Sequence, residues 1–195
     1  MRRFLPLVLM ICAFSGAAEA RPASEPFAPS GVPAEAPPGY VSMCHRNPEE
    51  CADRPAVRSA GTLADADRYA LIKSVNRRVN REVHWRADPV ERWEQPTGER
   101  LEGDCEDFAI AKRADLIARG FPPEDLFYLV GYLPGTGLHA VLVAHTAEAD
   151  YILDNRTNAL KTWGEGPYVW ILRQAAGKPS EWRNLLVRDV KLAAR

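Results

Sequence analysis

Within the stretch Gly103-Asp104-Cys105-Glu106-Asp107-Phe108, one thiol stands among three acids. The residues after it predict a helix from about Cys105 to Arg119, with Gly120 as its C-terminal cap and Pro122-Pro123 blocking continuation. A thiol in the first turn faces unpaired backbone N–H groups and the positive end of the helix dipole, which favour thiolate over thiol. The same N–H groups can stabilise an oxyanion when a thiolate attacks a carbonyl. Such a nucleophile needs a base, and the base needs an orienting group. His45 and His84 precede the helix; His139 and His145 follow it. His139 opens the strand expected after the turn Pro134-Gly135-Thr136-Gly137, and Asp154 lies near the end of the next one. A hairpin turning at Thr146 and Ala147 would set His139 and Asp154 opposite each other on one face. Cys105, His139 and Asp154 are therefore the candidate catalytic residues. His145, at the far end of its strand, has the weaker claim.

Each of these residues also has an ordinary reading. A lone cysteine in a helix is more often a small core residue than a nucleophile. Here the helix-start position, an odd thiol count and the downstream His and Asp favour function. The acids pull the other way, because Asp104, Glu106 and Asp107 oppose a thiolate. Two readings of them stand. Some of these carboxylates hold a hard cation, calcium in an exported setting, that relieves the repulsion, or the acids simply complement the dipole of the first turn. The tryptophans Trp93, Trp163, Trp170 and Trp182 read as packing residues.

The chain has 195 residues, enough for one ordinary domain. With 25 basic and 26 acidic residues and no basic stretch, it offers nothing to a phosphate backbone, and no nucleic-acid partner is expected. Residues 1–20 read as an export signal: Arg2 and Arg3, an apolar run from Leu5 to Phe14, and Ala18-Glu19-Ala20 for cleavage. The run is shorter than the ~20 residues that span a bilayer, so no stable membrane insertion is expected after cleavage. A periplasmic or secreted protein follows, with three cysteines left. Cys44 and Cys51 flank the turn-rich Arg46-Asn47-Pro48-Glu49-Glu50, where the chain can fold back to bridging distance, and a disulfide between them leaves Cys105 free. A metal site there with His45 would lack a usual zinc spacing.

Residues 21–39 are proline-rich and read as an extended, poorly ordered linker, with the folded domain from residue 40 to 195. Thr62-Leu63-Ala64-Asp65 opens an amphipathic helix ending near His84. Residues 86–104 read as a loop around Trp93. Three strands, Leu126 to Leu133, Leu138 to Thr146 and Tyr151 to Asn155, make an antiparallel meander, with further strands at Tyr168 to Leu172 and Leu185 to Leu192.

These residues taken together resemble the bacterial transglutaminase-like cysteine proteinases, a family that includes LapG-type periplasmic adhesin-cleaving enzymes. The likeness runs from about Tyr40 to Trp182. It is carried by Cys44 and Cys51 with Asn47-Pro48 between them, Trp93 before Pro96, the block from Gly103 to Ala109, His139-Ala140-Val141-Leu142, and Leu153-Asp154-Asn155. The resemblance implies an α+β, papain-like fold and a triad of Cys105 as nucleophile, His139 as base and acid, and Asp154 as orienting carboxylate. It also implies calcium at Asp104 and Glu106, and a protein substrate such as a large surface adhesin. An inner-membrane receptor that senses a cyclic dinucleotide would be the inhibitory partner. The rival readings are acyl transfer to an amine by the same triad, or a catalytically silent calcium-dependent binding protein.

Overall fold

The computed structural model describes residues 25–53 and 64–186. The export signal and the Thr62 cap lie outside the described residues. The central element is an antiparallel sheet of seven strands: β1 (Val32–Ala34), β4 (Leu126–Leu133), β5 (Gly137–His145), β6 (Asp150–Leu153), β7 (Lys161–Thr162), β8 (Val169–Ala175) and β9 (Lys178–Asn184). Their order is β1-β9-β8-β4-β5-β6-β7. A short parallel pair, β2 (His84–Trp85) and β3 (Glu102–Gly103), stands apart from it. Helices α1 (Pro38–Arg46), α3 (Asp65–Glu82) and α4 (Cys105–Ala118) contribute to the core on one face of the sheet, and α2 (Pro48–Cys51) follows α1 directly. The architecture is α+β, as expected.

Helix α4 has neither Gly nor Pro and carries four alanines, all favourable to helix. Its residues Cys105, Phe108, Ala109, Lys112 and Leu116 recur at spacings of three and four, forming one stripe. It ends as the sequence predicts. Gly120 takes φ +85°, Phe121 N–H donates to Leu116 O (2.9 Å) and Gly120 N–H to Ile117 O (2.9 Å), a doubly closed C-terminus.

Alternation splits the apolar residues of the sheet between two faces. Tyr128, Val130, Ala140, Leu142 and Leu153 join the core with the helices; Phe127, Leu129, Val141, Val143, Ile152 and Trp170 form a second core behind. Tyr40, Trp93, Tyr128 and Trp182 meet edge-to-face, with Tyr40 and Trp93 centroids 5.5 Å apart, so Trp93 and Trp182 are packing residues.

Three expectations need correction. The proline-rich stretch supplies an ordered edge strand, β1, paired with β9; Pro33 is tolerated there because an edge residue need not donate on both sides. Most of the strand expected from Leu185 to Leu192 lies outside the described residues, while the sequence reading missed the strand Lys178–Asn184. Its Pro179 argues against a strand, but it lies in a register irregularity, where the Gln174 amide donates to Pro179 O (2.9 Å). The β5–β6 turn is centred one position later than expected: His145 faces Asp150, and Thr146 Oγ1 accepts the N–H groups of Glu148 and Ala149.

Cys44 and Cys51 are bonded, with their Cα atoms 5.5 Å apart, and join α1 to α2. Replacing both by Ser should lower unfolding free energy by about 2–3 kcal/mol through the freed loop, measured by urea denaturation.

Candidate active site

Strand β6 pairs only as far as Leu142, so among the described residues the outer edge of β5 from Gly137 to Val141 has no strand beside it. The thiol of Cys105 lies at this open edge. Ala140 N–H donates to its Sγ at 3.4 Å, and Ala140 is the residue after His139. The sheet ladder thus stops where the start of α4 must fit.

Continuing the β5–β6 register past the strand end sets Asp154 opposite Val141, on the same face as His139 and diagonal to it. Moving the turn by one position changes the partner by two residues, which preserves the face. His139 Nε2–H accordingly donates to Asp154 Oδ1 at 3.0 Å, both side chains being buried. Nδ1 is the nitrogen left for a proton transfer. His145 instead pairs with Asp150 at the far end of the strand, 2.7 Å away.

Asp154 has further partners that sequence reasoning missed. Arg156 N–H donates to Oδ1 (2.9 Å), and the Tyr168 hydroxyl donates to Oδ2. Burial alone would raise this carboxyl, but the hydrogen bonds from His139, Tyr168 and Arg156 hold it at about 2. The Tyr168 ring also stacks on the imidazole, 5.5 Å between centroids and 7° from parallel. Lys112 was missed as well. It is fully buried, its Nζ donates to Leu153 O (3.2 Å), and burial pushes its ammonium down to about 7 against the opposing pull of Asp154. The signal that separates Lys112 from a surface lysine is its place in the stripe with Phe108 and Leu116, four residues to either side. Tyr168 followed by a strand was visible, but not its reach to Asp154.

On the other side of the sulfur the electrostatics reverse. Cys105 Sγ–H donates to Glu106 Oε2 at 3.1 Å; burial first, then the Glu106 charge, push the thiol well above its ordinary range. Glu106 is itself raised, by burial and by Asp104. Asp107 is raised by burial to about 7, although it accepts from Glu94 N–H (2.9 Å) and Asp104 N–H (3.3 Å). Ligand atoms of Asp104, Cys105 and Glu106 lie within 4.8 Å of one another. Asp104 Oδ1 and Glu106 Oε1 are buried without a hydrogen-bond partner, a donor set that fits a hard cation.

Residues 30–190 match the family model described as bacterial transglutaminase-like cysteine proteinase. The chain belongs to this family. Its α+β fold agrees with that membership. Legionella pneumophila LapG is similar in structure, with a TM-score of 0.50 and 24% identity over 65% of this chain and 72% of that one, a likeness of fold. Its calcium-bound form aligns at TM-score 0.49 and 24% identity over 55% of this chain, and its EGTA-treated form at 0.48 and 26% over 54%. The chain spans 65% and 62% of the length of those two. No curated protein matches in sequence. Among the described residues, no helix is long and apolar enough to cross a membrane.

A bacterial transglutaminase-like proteinase built this way leaves no room at Gly103, where a Cβ would stand 2.6 Å from Asp107 Cβ. Gly103→Ala should therefore lower the melting temperature by several degrees, on the order of 1–3 kcal/mol, in differential scanning calorimetry. The buried lysine gives a second expectation. Between pH 7 and about 10 the unfolded chain keeps the Lys112 proton that the folded chain has released, so stability gained from this group rises with pH. The difference in unfolding free energy between wild type and Lys112→Met should climb across that window and be flat below it.

Proposed function

We propose that this chain is an exported cysteine peptidase that hydrolyses a peptide bond through an acyl-enzyme on Cys105. The observation that carries the reading is the junction at β5: the N–H touching the sulfur belongs to Ala140, and the preceding residue, His139, has its ring held by a buried, ionised Asp154. His139 Nδ1 takes the thiol proton as Sγ attacks the scissile carbonyl carbon. The N–H groups of the first turn of α4 receive the oxyanion. The imidazolium, stabilised by Asp154, then protonates the leaving amine as the C–N bond breaks. Water, deprotonated by the same imidazole, attacks the thioester and regenerates the thiol. Asp154 keeps Nε2 protonated throughout, so Nδ1 is always the working nitrogen.

A calcium ion held by Asp104 and Glu106 would supply positive charge beside the sulfur. Asp104 Oδ1 and Glu106 Oε1, buried and unpartnered, support this. Engaged by a cation, Glu106 no longer holds the thiol proton in place, and the acids that oppose the thiolate become harmless. Export to the periplasm is supported by the reading of residues 1–20 and by the Cys44–Cys51 bond, which persists in an oxidising compartment. The substrate is then a protein of the cell surface. By the family resemblance it is a large adhesin, with an inner-membrane cyclic-dinucleotide receptor as the inhibitory partner.

Cys105→Ala should abolish cleavage of a protein substrate while the melting temperature stays within a few degrees. Asp154→Asn should lower kcat about 10²-fold to 10⁴-fold, since the wrong tautomer is then favoured. With calcium present, wild-type Cys105 should react quickly with iodoacetamide near neutral pH; an inert thiol under that condition, or full activity in Cys105→Ala, would refute the mechanism. EGTA should lower activity and melting temperature together in wild type, and leave the melting temperature of Asp104→Asn unchanged.

A further inference from the structure

Three exposed apolar residues share one rung of the sheet. Leu138 faces Tyr132 across β4 and β5, and Tyr132 faces Val169 across β4 and β8, so their side chains leave the same face side by side. They are 68%, 46% and 51% exposed respectively. The next rung inward on this face, Ala140 opposite Val130, is buried in the core that includes Phe108 and borders Cys105. The covering of the sheet by α4 therefore ends one rung short. A single exposed leucine carries no message. Three apolar residues on adjacent strands make a continuous patch about 10 Å across, at the ordinary strand spacing. It begins about 7 Å, two strand residues, from the Ala140 N–H that touches the sulfur.

The patch is also held in place. The turn between β4 and β5 is closed by Thr136 N–H on Leu133 O (3.0 Å), with Gly135 and Gly137 at φ +79° and +108°. Arg156, whose N–H holds Asp154 Oδ1, donates its guanidinium to Thr136 Oγ1 at 3.0 Å. The tip of the hairpin is thereby tied to the segment that carries Asp154. An exposed apolar surface in fixed register with a nucleophile suits the part of a substrate next to the bond under attack.

We infer that Tyr132, Leu138 and Val169 form an apolar subsite for a hydrophobic side chain of the peptide substrate, two or three residues from the scissile bond. The inference rests on the peptidase reading. The spacing follows from the reach of an extended chain, about 3.3 Å per residue, across the gap to the patch. Lys at that substrate position would give up water for an apolar surface whose neighbouring charge, the Arg156 guanidinium, is of the same sign, so a lysine is disfavoured there.

The test offers the full chain a peptide library made by digesting a bacterial proteome, with cleavage sites read by mass spectrometry. Wild type, Leu138→Ser with Tyr132→Ser, and Val169→Ser are compared. Wild-type sites should be enriched about tenfold in Leu, Ile, Val, Phe or Tyr at one position within that range. The enrichment should fall toward unity in the variants, while iodoacetamide, which needs no subsite, labels Cys105 at an unchanged rate. Cleavage by wild type without such enrichment, or enrichment that survives in the variants, would overturn the subsite and leave the peptidase reading intact. No cleavage by wild type would overturn both. Should the double variant fail to fold, the single Val169→Ser decides.

Discussion

A carboxylate taken out of water must either accept enough hydrogen bonds to stay charged or give up its charge, and Asp154 is kept charged. His139, Tyr168 and the Arg156 N–H converge on its two oxygens, each from a different part of the chain after α4. Because the anion is fixed, the imidazole is fixed, in position and in tautomer. Tyr168 contributes twice, through its hydroxyl on Asp154 and its ring on His139. Beneath, Lys112 ties the carbonyl of Leu153 just before the carboxylate leaves the sheet. The arrangement is costly in buried polar groups, and each of these contacts offsets part of that cost.

The opposite side of the sulfur follows a contrary rule. Asp104, Glu106 and Asp107 crowd the first turn of α4, and burial drives Glu106 and Asp107 toward their neutral forms rather than holding them charged. The helix dipole alone cannot satisfy three acids in one turn; its effect is about 1 kcal/mol or less per charge. Left with two orphaned carboxylate oxygens and a thiol that donates to Glu106, this turn is poised for a positive charge. The site is thus two electrostatic halves meeting at a single sulfur, one complete in the protein and one whose donor set a cation would complete.

Both halves depend on where the sheet ladder stops. Had β6 continued to pair along β5, its backbone would occupy the edge where Cys105 meets Ala140, and the helix could not approach. Ending β6 at Leu153 frees Asp154 to turn inward and frees the Ala140 N–H for the sulfur. The same principle leaves the Leu138 rung uncovered, since the helix that buries the inner rungs begins at the thiol.

The helix of Cys105, its glycine cap, the three central strands and the odd thiol were legible in the sequence, because each is governed by local rules: periodicity, caps, turn residues, cysteine counting. The pairing of His139 with Asp154 was legible only as a face. The turn at Thr146 moved by one position, and the two-residue period of a strand kept both side chains on one side. What the sequence could not show came from contacts with no local signature. Pro179 lies in a strand because a sheet irregularity spares it, and the proline-rich stretch gains an edge strand because β9 offers it one. The helix stripe marks Lys112, yet its burial comes from the sheet that covers that face, and Tyr168 reaches a carboxylate fourteen residues away. Residue type and spacing determined which groups could do chemistry; tertiary packing decided which were desolvated and what they faced, since burial and hydrogen-bond partners, rather than composition, set the charge of a group.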